Sequence, residues 1–226
     1  MSMERSPHRT PGVGDFLGDA VSLVADDPRI ALVTVVGGAL SAIPFVGTFL
    51  NILVIGFAHV IAQQSLGWSV DSRTSLPVRF VYLLIGSIVA GIAVLIGLVF
   101  LVLPGLYLVV RFSLMIPAIM VDGKGPLDGI GESWDRAGGN WWTIFGFQLV
   151  VGVASALVIV PVVFSFGLEA VANPANPAPQ IAIGVVSGAV GAVTVGGLVM
   201  MYRAFGEDDT PPQDDEWQDP SSGAQW

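Results

Sequence analysis

The chain has 226 residues, of which 53% are hydrophobic and only 12% are charged, whereas roughly a quarter of an average soluble domain is charged. This composition excludes an ordinary soluble protein and predicts an integral membrane protein. Cysteine is absent, which excludes disulfides and thiolate chemistry. The net charge of −9 is concentrated at one end, because seven of the eighteen acidic residues lie between Glu207 and Asp219.

The two ends of the chain differ from its apolar middle. Residues 206–226 contain no basic residue and are rich in Asp, Pro and Gln, so this acidic tail is predicted to be disordered. Residues 1–13 form a polar N-terminal arm, and residues 14–205 are predicted to form one membrane helical domain. The acidic, lysine-poor composition is also typical of proteins from a high-salt cytoplasm, as in halophiles.

The first apolar residues predict one short helix and then a pair of apolar segments. Phe16, Ala20 and Leu23 recur at helical spacing, which predicts an amphipathic surface helix over residues 14–27. Residues 30–66 are apolar except for the interruption IPFVG at 43–47. Crossing a bilayer takes about 20 helical residues. Residues 30–66 are therefore either a tight hairpin of two membrane spans or a re-entrant pair that does not cross.

The rest of the chain predicts four more spans and a second amphipathic helix. The spans are expected at residues 78–103, 106–121, 141–166 and 181–202, and the surface helix at 126–137. Pro104-Gly105 is predicted to separate the third span from the fourth. The predicted fold is an all-α, polytopic membrane helix bundle of about six transmembrane segments plus two amphipathic surface helices.

The orientation of the bundle follows from its basic residues, which favour the cytoplasmic side of a membrane. With a cytoplasmic N-terminus, eight of the nine Lys and Arg residues fall inside, namely Arg5, Arg9, Arg29, Arg73, Arg79, Lys124, Arg136 and Arg203. The ninth, Arg111, lies within a predicted span. The sequence therefore predicts a multi-pass protein of the cell (cytoplasmic) membrane with both termini in the cytoplasm.

Residues 104–142 carry a recognisable pattern. It consists of Pro104-Gly105, an aromatic residue, an arginine in mid-span, Pro117, and a surface helix with Ser133-Trp134 ahead of a span led by two tryptophans. This pattern resembles the membrane domain associated with glycerophosphoryl diester phosphodiesterases and its stand-alone, largely uncharacterised polytopic relatives. In the enzymes the chemistry lies in a separate soluble barrel, which is missing from this sequence. The resemblance therefore implies a membrane module and not a phosphodiesterase.

Arg111 is the leading candidate site residue, because a charge inside a span is costly and is usually functional or paired. No Asp or Glu lies in a predicted span to pair with it. Arg111 is six residues beyond Gly105, which places it about 9 Å below the outer surface. Two interpretations stay open. Arg111 either binds an anionic lipid headgroup or ligand through its forked guanidinium, or it has only the structural role of reaching outward to the interface.

A second candidate site is an intramembrane polar cluster of Asn51, His59, Gln63 and Gln148. Asn51, His59 and Gln63 are spaced by multiples of four, so they share one stripe of the second span. The stripe is either a polar groove that handles a solute or protons, or a set of hydrogen bonds between helices. A hydrogen bond between His59 and Gln63, one turn away, would support the second, structural alternative.

Other conspicuous residues have structural interpretations. Trp134, Trp141 and Trp142 are predicted to be interfacial anchors. Gly184, Gly188 and Gly191, with Ser187, give the last span a small-residue face that predicts close helix packing. No nucleophile–base set or acid–base pair lies in the spans, so no catalytic residue, metal site or cofactor is predicted.

The expected function is therefore non-enzymatic. The sequence predicts an integral membrane module that organises lipids or a partner, with membrane lipids and a membrane or cytoplasmic protein as partners and no nucleic acid. The alternative is a small-solute transporter, or the membrane subunit of a multi-component transporter. A polar cavity around Asn51, His59, Arg111 and Gln148 would favour the alternative, whereas a packed interior would favour the first.

Overall fold

A computed structural model describes residues 11–43, 46–68, 73–173 and 176–206. The elements in these ranges are all helical: α1 (Val13–Asp26), α2 (Pro28–Leu40), α3 (Val46–Ser65), α4 (Leu76–Phe100), α5 (Val102–Phe112), α6 (Met115–Met120), α7 (Pro126–Phe166), α8 (Leu168–Ala172) and α9 (Pro177–Ala204). The predicted all-helical fold is confirmed for the described residues. Most of the predicted N-terminal arm, at 1–10, and of the acidic tail, at 207–226, lies outside them.

Within the described ranges, five helical segments are long and apolar enough to cross a membrane. They are α3, α4, the α5–α6 pair over Val102–Met120, α7 and α9. Helix α2, with 13 residues, is shorter than the roughly 20 residues that a crossing requires. The structure therefore has several potential membrane-spanning helices, and the predicted total of six transmembrane segments stays a prediction.

Helix α1 is tied to α2 by one carboxylate. The Asp27 side chain accepts hydrogen bonds from the backbone N–H and the guanidinium of Arg29, at the start of α2, and from the hydroxyl of Ser65 at the end of α3. Arg29, followed by Ser65, holds the pKa of the Asp27 carboxyl well below its usual range. One side chain therefore joins the ends of three helices.

Helices α2 and α9 are in backbone contact along glycines. A Cβ atom at Gly184 would lie 2.0 Å from the carbonyl oxygen of Gly38, and one at Gly188 would lie 2.3 Å from that of Thr34. No residue with a side chain fits at such a separation. The small-residue face predicted on the last span is therefore confirmed as a close packing surface for its first half.

The chain reverses between α4 and α5 at Leu101, whose backbone is extended, and not at Pro104-Gly105 as predicted. Pro104 is the third residue of α5, where an N–H has no helical partner and proline is tolerated. Gly105 allows α5 to fold back onto α4, because a Cβ there would lie 2.4 Å from Leu98 Cγ.

The predicted fourth span is two helices. α5 ends at Phe112 and α6 begins at Met115, with Leu114 outside helical geometry. Pro117 explains the break, because its ring conflicts with the carbonyl four residues earlier, at Ser113. The Ser133 hydroxyl from α7 bridges the break by accepting the Leu114 N–H and donating to the Arg111 carbonyl.

Helix α7 contains both the predicted second surface helix and the predicted fifth span. The two parts meet at Asn140, whose backbone is non-helical with φ −116° and ψ 17°. The part before Asn140 packs against the α5–α6 break through Gly129, Ser133 and Ala137, which are buried. The helical boundaries agree with the sequence prediction, whereas the position of this helix at a membrane surface stays a prediction.

Candidate functional site

Arg111 lies in the last turn of α5 and faces the first half of α7. Its Nε donates to the Tyr107 hydroxyl at 2.7 Å, and one terminal nitrogen donates to the Trp134 carbonyl oxygen at 2.7 Å. The first contact runs toward the N-terminus of α5, as helix geometry predicts. The second contact is not the outward reach to the interface that one of the two interpretations expected, because it joins Arg111 to the predicted surface helix.

Two aromatic rings flank the guanidinium. Arg111 Cζ lies 5.0 Å from the centroid of the Tyr107 ring and 4.7 Å from that of Trp134, within cation–π range. The aromatic cluster extends through Trp141, which stacks on both Tyr107 and Phe145. These rings fix the direction of the guanidinium without neutralising its charge.

Arg111 also differs from its basic neighbours in its partners. Arg29, Arg136 and Arg203 each form an ion pair with an Asp or Glu, at N–O distances of 2.6 to 3.1 Å. Among the described residues, no carboxylate lies within salt-bridge distance of Arg111, which is half-buried. Two of its five N–H donors are used by Tyr107 and Trp134, so Arg111 retains three N–H donors and a charge that no carboxylate neutralises.

The three predicted interfacial anchors belong to one aromatic cluster, in which Trp134 contacts Arg111, Trp141 stacks on Tyr107, and Trp142 packs on Trp141. Trp134 is 38% exposed and Trp142 is 77% exposed, and the Trp141 and Trp142 ring centroids are 4.7 Å apart. The Trp141 indole N–H is buried and has no hydrogen-bond partner in the described ranges. The sequence predicted each tryptophan as a separate anchor. That they form one aromatic cluster next to Arg111 depends on the packing of α5 against α7.

A separate cavity of about 470 Å³ lies between α2, α3 and α9, with Ile116 of α6 also in its wall. Its polar lining comprises Thr34, Ser41, Asn51, His59, Gln180, Ser187 and Thr194. The remaining lining is apolar or glycine. Its size falls within the 300–1,000 Å³ range of small-molecule sites, which are likewise mostly apolar with a few polar groups.

Two of the four residues in the predicted polar cluster line this cavity. Asn51 and His59 do, whereas Gln63 is fully buried elsewhere and accepts a hydrogen bond from Arg203 Nε at 3.4 Å. Gln148, on the second half of α7, does not line the cavity, and neither does Arg111. The cavity and the Arg111 cluster are therefore two different sites.

His59 is buried and only partly hydrogen-bonded. Its Nδ1 lies 2.8 Å from the carbonyl oxygen of Ile55, and its Nε2 has no partner in the described part of the chain. The predicted pairing of His59 with Gln63 is wrong, because His59 Nδ1 forms its hydrogen bond with the backbone carbonyl of Ile55, one turn earlier. Gln180 is similar, since its Nε2 donates to the Val171 carbonyl and its buried Oε1 is unpaired.

Gln180, Thr34 and Thr194 were not predicted as site residues, because each stands alone in an apolar helix. The available signal was the small-residue face of α9, interpreted only as a packing surface. At Gly191 that face is open, because a Cβ there would meet nothing within 4 Å. Within the described ranges, no three His, Asp or Glu side chains group closely enough to hold a metal ion.

These features define an all-helical protein with several helices long and apolar enough to span a membrane. A family model, the domain of unknown function DUF7847, matches residues 16–205, and the chain belongs to that family. No curated protein and no solved structure matches the chain.

Proposed function

We propose that this protein is a non-enzymatic, multi-pass module of the cell membrane that binds anionic lipid headgroups at Arg111. Its helices are long enough to span a bilayer, and their outer surface is strongly apolar. Phe100 and Leu103 near the α4–α5 turn, and Leu157 and Phe164 on α7, are each more than 70% exposed. Exposed apolar surface on this scale is expected where lipid and not water surrounds a protein.

The observation that supports lipid binding is the geometry of Arg111. A guanidinium offers paired donors that match a phosphate, and the Arg111 fork is fixed by Tyr107 and by the Trp134 carbonyl while lacking a carboxylate. The surrounding tryptophans are the residue type that lies at the level of lipid headgroups. The resemblance of residues 104–142 to a phosphodiesterase-associated membrane domain also supports a lipid-related role without implying catalysis.

We expect Arg111→Lys to reduce the anionic lipid retained by the purified protein by about fivefold or more, because lysine retains the charge but loses the paired donors. Arg111→Leu should reduce retention at least as much. Lipid bound to protein purified in mild detergent is quantified by mass spectrometry. Arg29→Lys is the matched control, since Arg29 is exposed and already paired with Asp27.

Retention equal to wild type in both Arg111 variants would contradict the binding role. It would leave Arg111 with the structural role of joining α5 to α7. Comparable yield and monodispersity of the variants are required for the comparison, so both are measured on each sample.

The orientation proposed with this function places both termini in the cytoplasm. The chain has no native cysteine, so single cysteines can be introduced without background. A cysteine at Asn176 should react with a membrane-impermeant thiol reagent added outside, and one at Gly223 should react only after the membrane is permeabilised. The reverse pattern would overturn the orientation and with it the cytoplasmic placement of the basic residues.

A small-solute transporter, or the membrane subunit of a multi-component one, is the second candidate. The specific observation in its favour is the cavity that contains Asn51 and His59 between potential membrane-spanning helices. Transport requires access to that cavity from both sides of the membrane. Labelling of a cysteine at Ser187 from both sides would favour this candidate over the lipid-binding module.

A further inference from the structure

The cavity between α2, α3 and α9 is long. Its wall on α9 runs from Gln180 to Leu198, a rise of about 27 Å at 1.5 Å per residue. Most of this wall consists of glycine, valine, isoleucine and leucine. A space of this length and lining suits an extended apolar chain better than a compact polar solute.

The cavity also selects against charge. None of its described lining residues is Asp, Glu, Lys or Arg. An ionised ligand would lose its hydration without gaining an opposite charge, which is unfavourable. The expected occupant is therefore neutral, which distinguishes it from the anionic lipid proposed at Arg111.

The tautomer of His59 determines which hydrogen-bonding group a ligand in this cavity must carry. A carbonyl oxygen can only accept, so the contact of Nδ1 with the Ile55 carbonyl assigns the ring hydrogen to Nδ1. Nε2 of the neutral ring is then an acceptor, and it is buried without a partner. The unpaired Gln180 Oε1 is also an acceptor. A ligand with a hydroxyl or N–H group would satisfy such atoms.

The two unpaired acceptors lie at different depths in the cavity. Gly37 of α2 lies against Val54 of α3, and Thr34 of α2 lies against Gly188 of α9, so His59 lies past Gly188, whereas Gln180 is near the start of α9. The separation between Gln180 and Gly188 along α9 is already about 12 Å. A single compact molecule cannot reach both ends, but a chain whose polar end reaches His59 can extend along the apolar wall toward Gln180.

We propose that this cavity binds a neutral, single-chain amphiphile whose terminal hydroxyl donates a hydrogen bond to Nε2 of His59. The site is separate from Arg111 and its proposal does not depend on anionic lipid binding there. An ordered water on His59 is the competing occupant, because a water can also donate to a buried acceptor.

The test uses the full-length protein in phosphatidylcholine nanodiscs with a photoactivatable probe. The probe is a twelve-carbon alkanol with a diazirine in its chain, and the matched probe is its methyl ether, which cannot donate. Labelled positions are located by mass spectrometry. Labelling of the lipid-facing second half of α7, around Leu149 and Leu157, provides the internal reference for the amount of each probe in the bilayer.

We expect the alkanol to label the cavity walls on α3 and α9 at least about fivefold more than the ether does, after this normalisation. His59→Phe should remove the preference for the alkanol. Gly191→Phe should reduce labelling by both probes, since its side chain fills open space beside the cavity. Gly91→Phe is the matched control, because a Cβ at Gly91 also meets nothing within 4 Å and the residue lies on α4, outside both the cavity and the reference segment of α7.

Three results would overturn the proposal. The first is equal cavity labelling by alkanol and ether in wild type. The second is labelling that Gly191→Phe leaves unchanged. The third is no cavity labelling by either probe, which would indicate a site for water only. Because the alkanol–ether comparison uses the wild-type protein, it decides the question even if His59→Phe does not fold. None of these outcomes alters lipid retention by Arg111, so the two proposals fail separately.

Discussion

Replacing Gly184 with leucine is expected to prevent stable packing of α2 against α9 and to abolish recovery of monodisperse protein. The Cβ alone would lie 2.0 Å from the Gly38 carbonyl oxygen, which belongs to a helix backbone and cannot rotate away. The helices must separate, so the loss should exceed the roughly 1–3 kcal/mol typical of overpacking. Size-exclusion chromatography and thermal unfolding in detergent measure the effect.

The control lies on the same helix. Gly191→Ala places its Cβ in open space, and alanine favours a helix over glycine by about 0.5–1 kcal/mol, so its melting temperature should equal or exceed that of wild type. Wild-type stability of Gly184→Leu would contradict the close approach of α2 and α9.

Arg79→Leu is the second substitution with a large expected effect. Arg79 is only 1% exposed, and its guanidinium donates to the carbonyl oxygens of Thr74, Met120 and Val121. Leucine would leave these acceptors without that donor at the junction of α4 and α6. At about 1–3 kcal/mol for each unsatisfied buried group, the loss should be several kcal/mol.

Thermal unfolding in detergent checks this expectation against Arg73→Leu, which removes an exposed arginine six residues away. Arg79→Lys should fall between wild type and leucine, since one ammonium group cannot satisfy all three carbonyls in the same geometry. Equal melting temperatures for Arg79→Leu and Arg73→Leu would show that the buried network contributes little.

The helices were predictable because their signals are local. Apolar runs, helical periodicity and the amphipathic pattern between Pro126 and the tryptophan pair predicted most segments, including the division of α7. The α5–α6 region was not predicted as two helices, because a proline in an apolar run does not show where the preceding helix ends. Pro104 and Pro117 are each the third residue of their helix, but Pro104 follows a reversal of the chain and Pro117 follows a short break, and only the three-dimensional course of the chain distinguishes the two.

The candidate sites were predictable only as single residues. Arg111 and His59 are conspicuous because polar groups are costly in an apolar run. Their partners depend on which helices meet, and no local pattern specifies the Trp134 carbonyl or the cavity opposite α9. The role of Arg79 was not predictable either, because the sequence shows only a basic residue near the start of a span and not the carbonyl groups that it bonds.

The α4–α5 turn bears on how the chain is integrated during synthesis. From Ile88 to Leu106 the side chains are all apolar, or absent at glycine, and the turn at Leu101 is itself exposed and apolar. The Leu101 N–H bonds to the Gly97 carbonyl, so the reversal pairs part of its own backbone. Such a hairpin can enter a bilayer as one unit, since no charged loop must be carried through the hydrocarbon layer.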